Sequence, residues 1–160
     1  MPKRAHQFLA LVLLAVAAVA LPGVARAETL TIQVTSVVVK VSAVDTKPKG
    51  ASAGDHVFQR NRLLNTVRQF GKAKGAHVGS DEGTVTFTGP HTERYEGVAR
   101  LPGGTIKVKG EVKALLGGGI RVPVVGGTGR YSAATGMLYV GPGESRALNI
   151  YRITLPGHVA

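Results

Sequence analysis

The stretch Thr105-Ile106-Lys107-Val108-Lys109-Gly110-Glu111-Val112-Lys113 alternates apolar with charged residues at a period of two. Successive side chains of a β-strand point to opposite faces. Ile106, Val108 and Val112 therefore share one face, and Lys107, Lys109, Glu111 and Lys113 share the other. The apolar set faces a core and the charged set faces water. Gly110 falls on the inward face, where a missing side chain suits a tight bend or leaves pocket space.

The same character extends in both directions. Thr29 to Val41 begins with Leu30, Ile32 and Val34 alternating against Thr31, Gln33 and Thr35, which predicts a half-buried strand. Its second half is apolar on both faces and is expected to be covered on both. His56–Asn65, Gly71–Val78, Thr84–Thr88 and Tyr95–Leu101 read as further strands. Gly79-Ser80-Asp81-Glu82-Gly83 reads as a connection, and Leu101-Pro102-Gly103-Gly104 as a hairpin turn. Asp45–Gly54 is rich in turn formers and reads as a loop. Strands near Gly119–Val125 and Tyr131–Val140 flank Gly126-Gly127-Thr128-Gly129, and Ala147–Leu155 ends the series. Roughly eight or nine short strands with glycine-rich turns predict an all-β domain, most economically an eight-stranded antiparallel β-barrel, because closure removes unpaired edges. A two-sheet sandwich is the alternative.

Residues 1–27 carry the three-part plan of a secretory signal peptide. Lys3, Arg4 and His6 form a basic start, Phe8 to Ala20 is apolar, and Ala25-Arg26-Ala27 offers a cleavage site. The apolar run is far shorter than the roughly 20 residues of a membrane span, so no stable membrane anchor is expected. The expected product is secreted, with residues 28–160 as a single domain in the extracellular space or cell envelope.

The chain carries a net charge of +11, of which the signal holds Lys3, Arg4 and Arg26. A basic surface can serve nucleic acid, anionic polymer or anionic lipid. Nucleic acid is not expected, since no basic run is interleaved with aromatic rings as a stacking platform needs. An anionic cell-envelope polymer is the expected electrostatic partner. The absence of cysteine rules out thiol chemistry, disulfides and zinc–thiolate sites. His56, His77 and His91 fall on three segments without metal-ligand spacing, so no metal is expected. Gly127-Thr128-Gly129 lacks the third glycine, the helix and the Lys-Ser/Thr of a phosphate loop and reads as a tight turn. No serine has the Gly-x-Ser-x-Gly setting of a hydrolase.

Gly54-Asp55-His56-Val57-Phe58-Gln59-Arg60-Asn61 resembles the second-strand motif of the allene oxide cyclase family, where a Gly-Asp pair precedes an apolar strand and an Asn follows. Val124-Val125-Gly126-Gly127-Thr128-Gly129-Arg130-Tyr131, with Gly136, resembles a late signature shared with plant dirigent proteins, and Gly104–Gly110 is similar to the strand before it. The resemblance implies an eight-stranded barrel, often a homotrimer, whose apolar lumen holds a hydrophobic small molecule and guides cyclisation or coupling without a cofactor. The family also places a carboxylate on the first strand, whereas Thr29 to Ala43 contains none.

If Asn61 points into a lumen, alternation sends Gln59 and Val57 there as well, and Arg60 and Arg62 outward. An amide can hold a water or a substrate oxygen in an apolar cavity. Tyr95, Tyr131 and Tyr139 can supply rings or phenol donors. The ligand-binding candidates are Asn61, Gln59, Val57, Tyr95 and Tyr131, with no catalytic residue assigned. Asp55 reads as a turn former. Arg121, Arg130 and Arg146 are cations that a barrel mouth can use. Two readings stay open: a lumen that binds a hydrophobic molecule and steers its reaction, isomerase- or cyclase-like if it is an enzyme, and a non-catalytic envelope protein that binds anionic polymer through its basic face.

Overall fold

A computed structural model describes residues 26–46, 48–50, 52–89, 92–114 and 118–157. The signal-peptide expectation for residues 1–27 therefore lies outside the described residues except at Arg26 and Ala27, and His91 lies outside them too.

Among the described residues, nine strands form one antiparallel sheet: β1 (Glu28–Val44), β2 (His56–Asn65), β3 (His77–Gly89), β4 (Thr92–Leu101), β5 (Gly104–Glu111), β6 (Lys113–Ala114), β7 (Ile120–Gly127), β8 (Thr135–Val140) and β9 (Arg146–Leu155). Their order is β5-β4-β3-β2-β1-β9-β8-β7-β6, and β5 also pairs with β7. That last pairing closes the sheet into a barrel. The two-residue β6 continues β5 along β7, so the ring has eight strands. Among the described residues the helical element is a single 3-10 turn at Gly129–Tyr131.

The alternation of Thr105–Lys113 is kept: Ile106 and Val108 are buried while Lys107, Lys109 and Lys113 are exposed. Ile32, Val34, Leu63, Val122, Tyr151 and Ile153 join them in a core that fills one end of the barrel. At that end Tyr131 is fully buried and its hydroxyl donates to the Pro102 carbonyl at 2.9 Å. The Asn65 amide donates to the carbonyls of Gln69, Lys72 and Ala73 at 2.9, 3.1 and 3.3 Å, drawing residues 66–76 across the same opening. The glycine-rich turn after β7 is clasped there as well, with the Thr128 amide donating to the Thr105 carbonyl at 2.9 Å.

Four expectations are corrected. Gly71–Val78 is not a strand: Gly71 and Gly75 take φ of +69° and +80°, the Asn65 clamp bends the segment, and pairing starts at His77. Gly79–Gly83 is not a connection but the middle of β3, paired to β2 and β4 together. Its glycines mark close approach, since Gly79 lies against the Arg100 carbonyl and Gly83 beneath Tyr95. Tyr131 lies in the 3-10 turn, and β8 begins only at Thr135. The far half of β1 is not covered on both faces within the chain, since Val39, Val41 and Val44 are exposed. The cause is strand length: β9 accompanies β1 only as far as Val37, beyond which β2 is its sole neighbour.

Candidate functional site

Adjacent strands β9, β1, β2 and β3 each turn a buried polar side chain inward above the apolar core: Asn149, Ser36, Asn61 and Asp81. Asn61 and Asp81 are direct cross-strand partners, and such pairs bring side chains into contact. The Asn61 amide donates to Asp81 Oδ1 at 2.5 Å, and Ser36 Oγ and Asn149 Nδ2 each donate to Oδ2 at 3.4 Å. Asp81 is 5% exposed, Asn61 8% and Asn149 4%. Burial raises the Asp81 carboxyl above its ordinary 3.8, and the bonds from Asn61 and Ser36 oppose that rise. Desolvation of this kind disfavours the charged form of a carboxyl, and hydrogen bonds donated to it favour that form.

These residues floor a cavity of about 120 Å³. Across the lumen, Ile120 and Val122 of β7 and Leu138 and Val140 of β8 form an apolar wall. Tyr95 of β4 lies along the inner surface over the facing pair Gly83 and Gly97, and their missing side chains make room for its ring. Burial first, and the Asp81 charge second, push the Tyr95 phenol up, so it stays protonated. Tyr151, buried below Asn149, is pushed up by the same two causes. The cavity reaches the surface beside the β8–β9 loop, where Glu144 and Arg146 are exposed. That loop is held over the mouth by the Val38 amide, which donates to the Ser145 carbonyl at 3.0 Å. The side-chain oxygens Oδ1 of Asn61 and Asn149 are buried without a hydrogen-bond partner.

Asn61, Gln59 and Tyr95 all line this cavity. Val57 does not: it borders a shallow hollow at the β1–β2 loop with Ala43, Asp45 and His56. Tyr131 lies in the closed end of the barrel and also stands apart from the cavity. Of the three arginines, Arg146 stands at the mouth, Arg121 lies on the outer face near Glu111 and Pro123, and Arg130 pairs with Glu28 at 2.9 Å. Asp55 accepts from Thr46 N, Thr46 Oγ1 and Ser52 N at 2.6, 2.7 and 2.7 Å, fastening the β1–β2 loop.

Sequence reasoning missed Asp81, Ser36 and Asn149. The buried carboxyl of the cavity belongs to β3. A signal for it existed, because counting back by twos from Val85 through Gly83 reaches Asp81 on the same face.

No family model matches the chain, and no curated protein sequence matches it. Solved structures do. A pyocyanin demethylase superposes with a TM-score of 0.66 at 22% identity, covering 78% of this chain and 99% of that one. AbnU, an exo-specific intermolecular Diels-Alderase, gives 0.64 at 13% identity over 81% and 99% of the two chains. The pterocarpan synthase dirigent protein GePTS1 gives 0.60 at 15% identity over 84% and 87%. The chain therefore has the antiparallel barrel fold of dirigent proteins and bacterial cyclases. At these identities the likeness is one of fold.

Proposed function

We propose that the lumen of this exported barrel binds a hydrophobic small molecule and steers its cyclisation or coupling, with Asp81 answering charge that develops on it. One observation carries this reading: a buried carboxyl, held by Asn61, Ser36 and Asn149, floors a cavity whose opposite wall is aliphatic. An apolar pocket with a few convergent polar groups is the usual form of a small-molecule site. Confinement in it brings reacting atoms together and removes much of the entropic barrier. A carboxylate in a water-poor enclosure stabilises positive charge far better than it does in water, and it accepts a proton once the charge is shed. The names of the dirigent protein and the Diels-Alderase that share the fold denote chemistry of this kind and support the reading.

The test is native mass spectrometry of the protein recovered from an exporting host. The wild type retains a hydrophobic molecule, Asp81→Asn and Asn61→Leu alter its retention, and Lys107→Glu with Lys109→Glu leaves it unchanged. Retention of anionic polymer that only the lysine changes abolish would overturn this reading in favour of an envelope-binding surface.

A further inference from the structure

We infer that the ligand presents a hydrogen-bond donor, a hydroxyl or a protonated amine, to the side-chain oxygens of Asn61 and Asn149 at the lumen floor. This inference rests on the lumen-binding reading above and adds the polarity of the buried end of the ligand.

The argument is one of donors and acceptors. Both amide nitrogens are turned toward Asp81, to which they donate. A carboxylate can only accept, so flipping either amide would set oxygen against oxygen. The bond to Asp81 orients the Asn61 amide, that of Asn149 is set between Asp81 and the Tyr151 phenol, and each carbonyl oxygen looks elsewhere. Neither Oδ1 has a partner, although both residues are more than nine-tenths buried and both line the cavity. Buried acceptors left unpaired are uncommon and carry the full cost of their lost hydration. Asp81 Oδ2 adds a third place to accept, since its two donors stand at a long 3.4 Å. The cationic donor among the described lining residues, Arg146, stands at the mouth rather than at the floor.

The two amide oxygens therefore receive donors and repel acceptors, whereas the Tyr95 phenol is a donor on the neighbouring wall. A hydroxyl or ammonium group satisfies Oδ1 of either asparagine, while an ether, ketone or carboxylate sets lone pairs against lone pairs. Size adds a second constraint. The cavity of about 120 Å³ is somewhat smaller than the roughly 150 Å³ cavity known to hold benzene. It thus takes no more than about one six-membered ring, and the remainder of a larger ligand extends toward Glu144 and Arg146.

Four single-ring probes test this with the ¹⁵N-labelled exported protein: phenol, benzylammonium, anisole and benzoate. Binding is followed by the side-chain amide signals of Asn61 and Asn149. Phenol and benzylammonium are expected to move these signals and to bind about tenfold more tightly than anisole, with benzoate weakest. In Asn149→Leu the preference for phenol over anisole should shrink while anisole still binds. Anisole or benzoate binding as tightly as phenol would overturn the inference and leave the lumen reading intact. If no probe perturbs the lumen signals, the lumen reading itself fails, and this inference fails with it.

Discussion

The phenol ring of Tyr95 occupies the space that a side chain on Gly83 would need: a β-carbon there would stand 2.5 Å from its Cζ and 2.8 Å from Cε2. Gly83 has no positive φ, so alanine is compatible with its backbone and the conflict is purely steric. Forcing a methyl group into such a contact costs about 1–3 kcal/mol. Gly83→Ala should lower the urea midpoint accordingly. In a Tyr95→Leu background the same change should become neutral or stabilising, because alanine otherwise suits a strand interior better than glycine. An undiminished penalty in that background would show that Tyr95 is not the cause.

Asp81 predicts a pH dependence of one sign. Its carboxyl is raised above 3.8 by burial, so the folded state holds its proton more tightly than the unfolded chain does. The contribution of this group to stability is then greatest in acid and falls as pH rises above 3.8 through the raised value. Asp81→Asn removes that dependence. Chemical denaturation across the acidic range should show the variant gaining on the wild type as pH increases, and a constant difference would count against the assignment.

Asp55 predicts the opposite sign. Hydrogen bonds from Thr46 and Ser52 lower its carboxyl from 3.8 to about 2. Its stabilising contribution is present above 3.8 and is lost as pH falls through about 2. In Asp55→Asn the acid limb of the stability curve should flatten over that interval. Amide exchange in the β1–β2 loop should quicken as well, since Thr46 N and Ser52 N lose their charged acceptor.

Asn65 holds residues 66–76 across the closed end through three carbonyls. Truncation to alanine removes this shared donor while each carbonyl keeps a backbone amide, so the loss is that of a made hydrogen bond, about 0.5–1.5 kcal/mol. Asn65→Ala should lower the melting temperature while leaving the side-chain amide signals of Asn61 and Asn149 in place. A shift of those signals would show that the two ends of the barrel are coupled.

The barrel was legible in the sequence wherever a period of two survived. Thr105–Lys113 carries it openly and folds where the pattern puts it as far as Glu111, while His56–Asn65, with its adjacent apolar pairs, forms its strand on β-rich composition. The floor of the lumen was much less legible. Asp81 is flanked by Gly79 and Gly83, whose composition signals a turn. Only three-dimensional packing shows that one glycine admits a neighbouring backbone and the other a tyrosine ring. Ser36 and Asn149 look unremarkable because a polar residue on an inward face is meaningful only beside its partners. Those partners lie 45 and 68 residues away along the chain. Val57 shows the converse problem: it shares a strand with Asn61 and Gln59, yet it lies by the β1–β2 loop, beyond the reach of the cavity.

Tyr131 seals one end of the barrel, and the cavity opens beside Glu144 and Arg146 at the other. Among the described residues the lumen is thus a cul-de-sac, and on the proposed lumen-binding reading arrivals and departures share that doorway. Traffic through it is strictly sequential, so an occupant has to leave before its successor can enter. On that reading, how long a spent molecule lingers sets the ceiling on throughput, however quickly it is transformed.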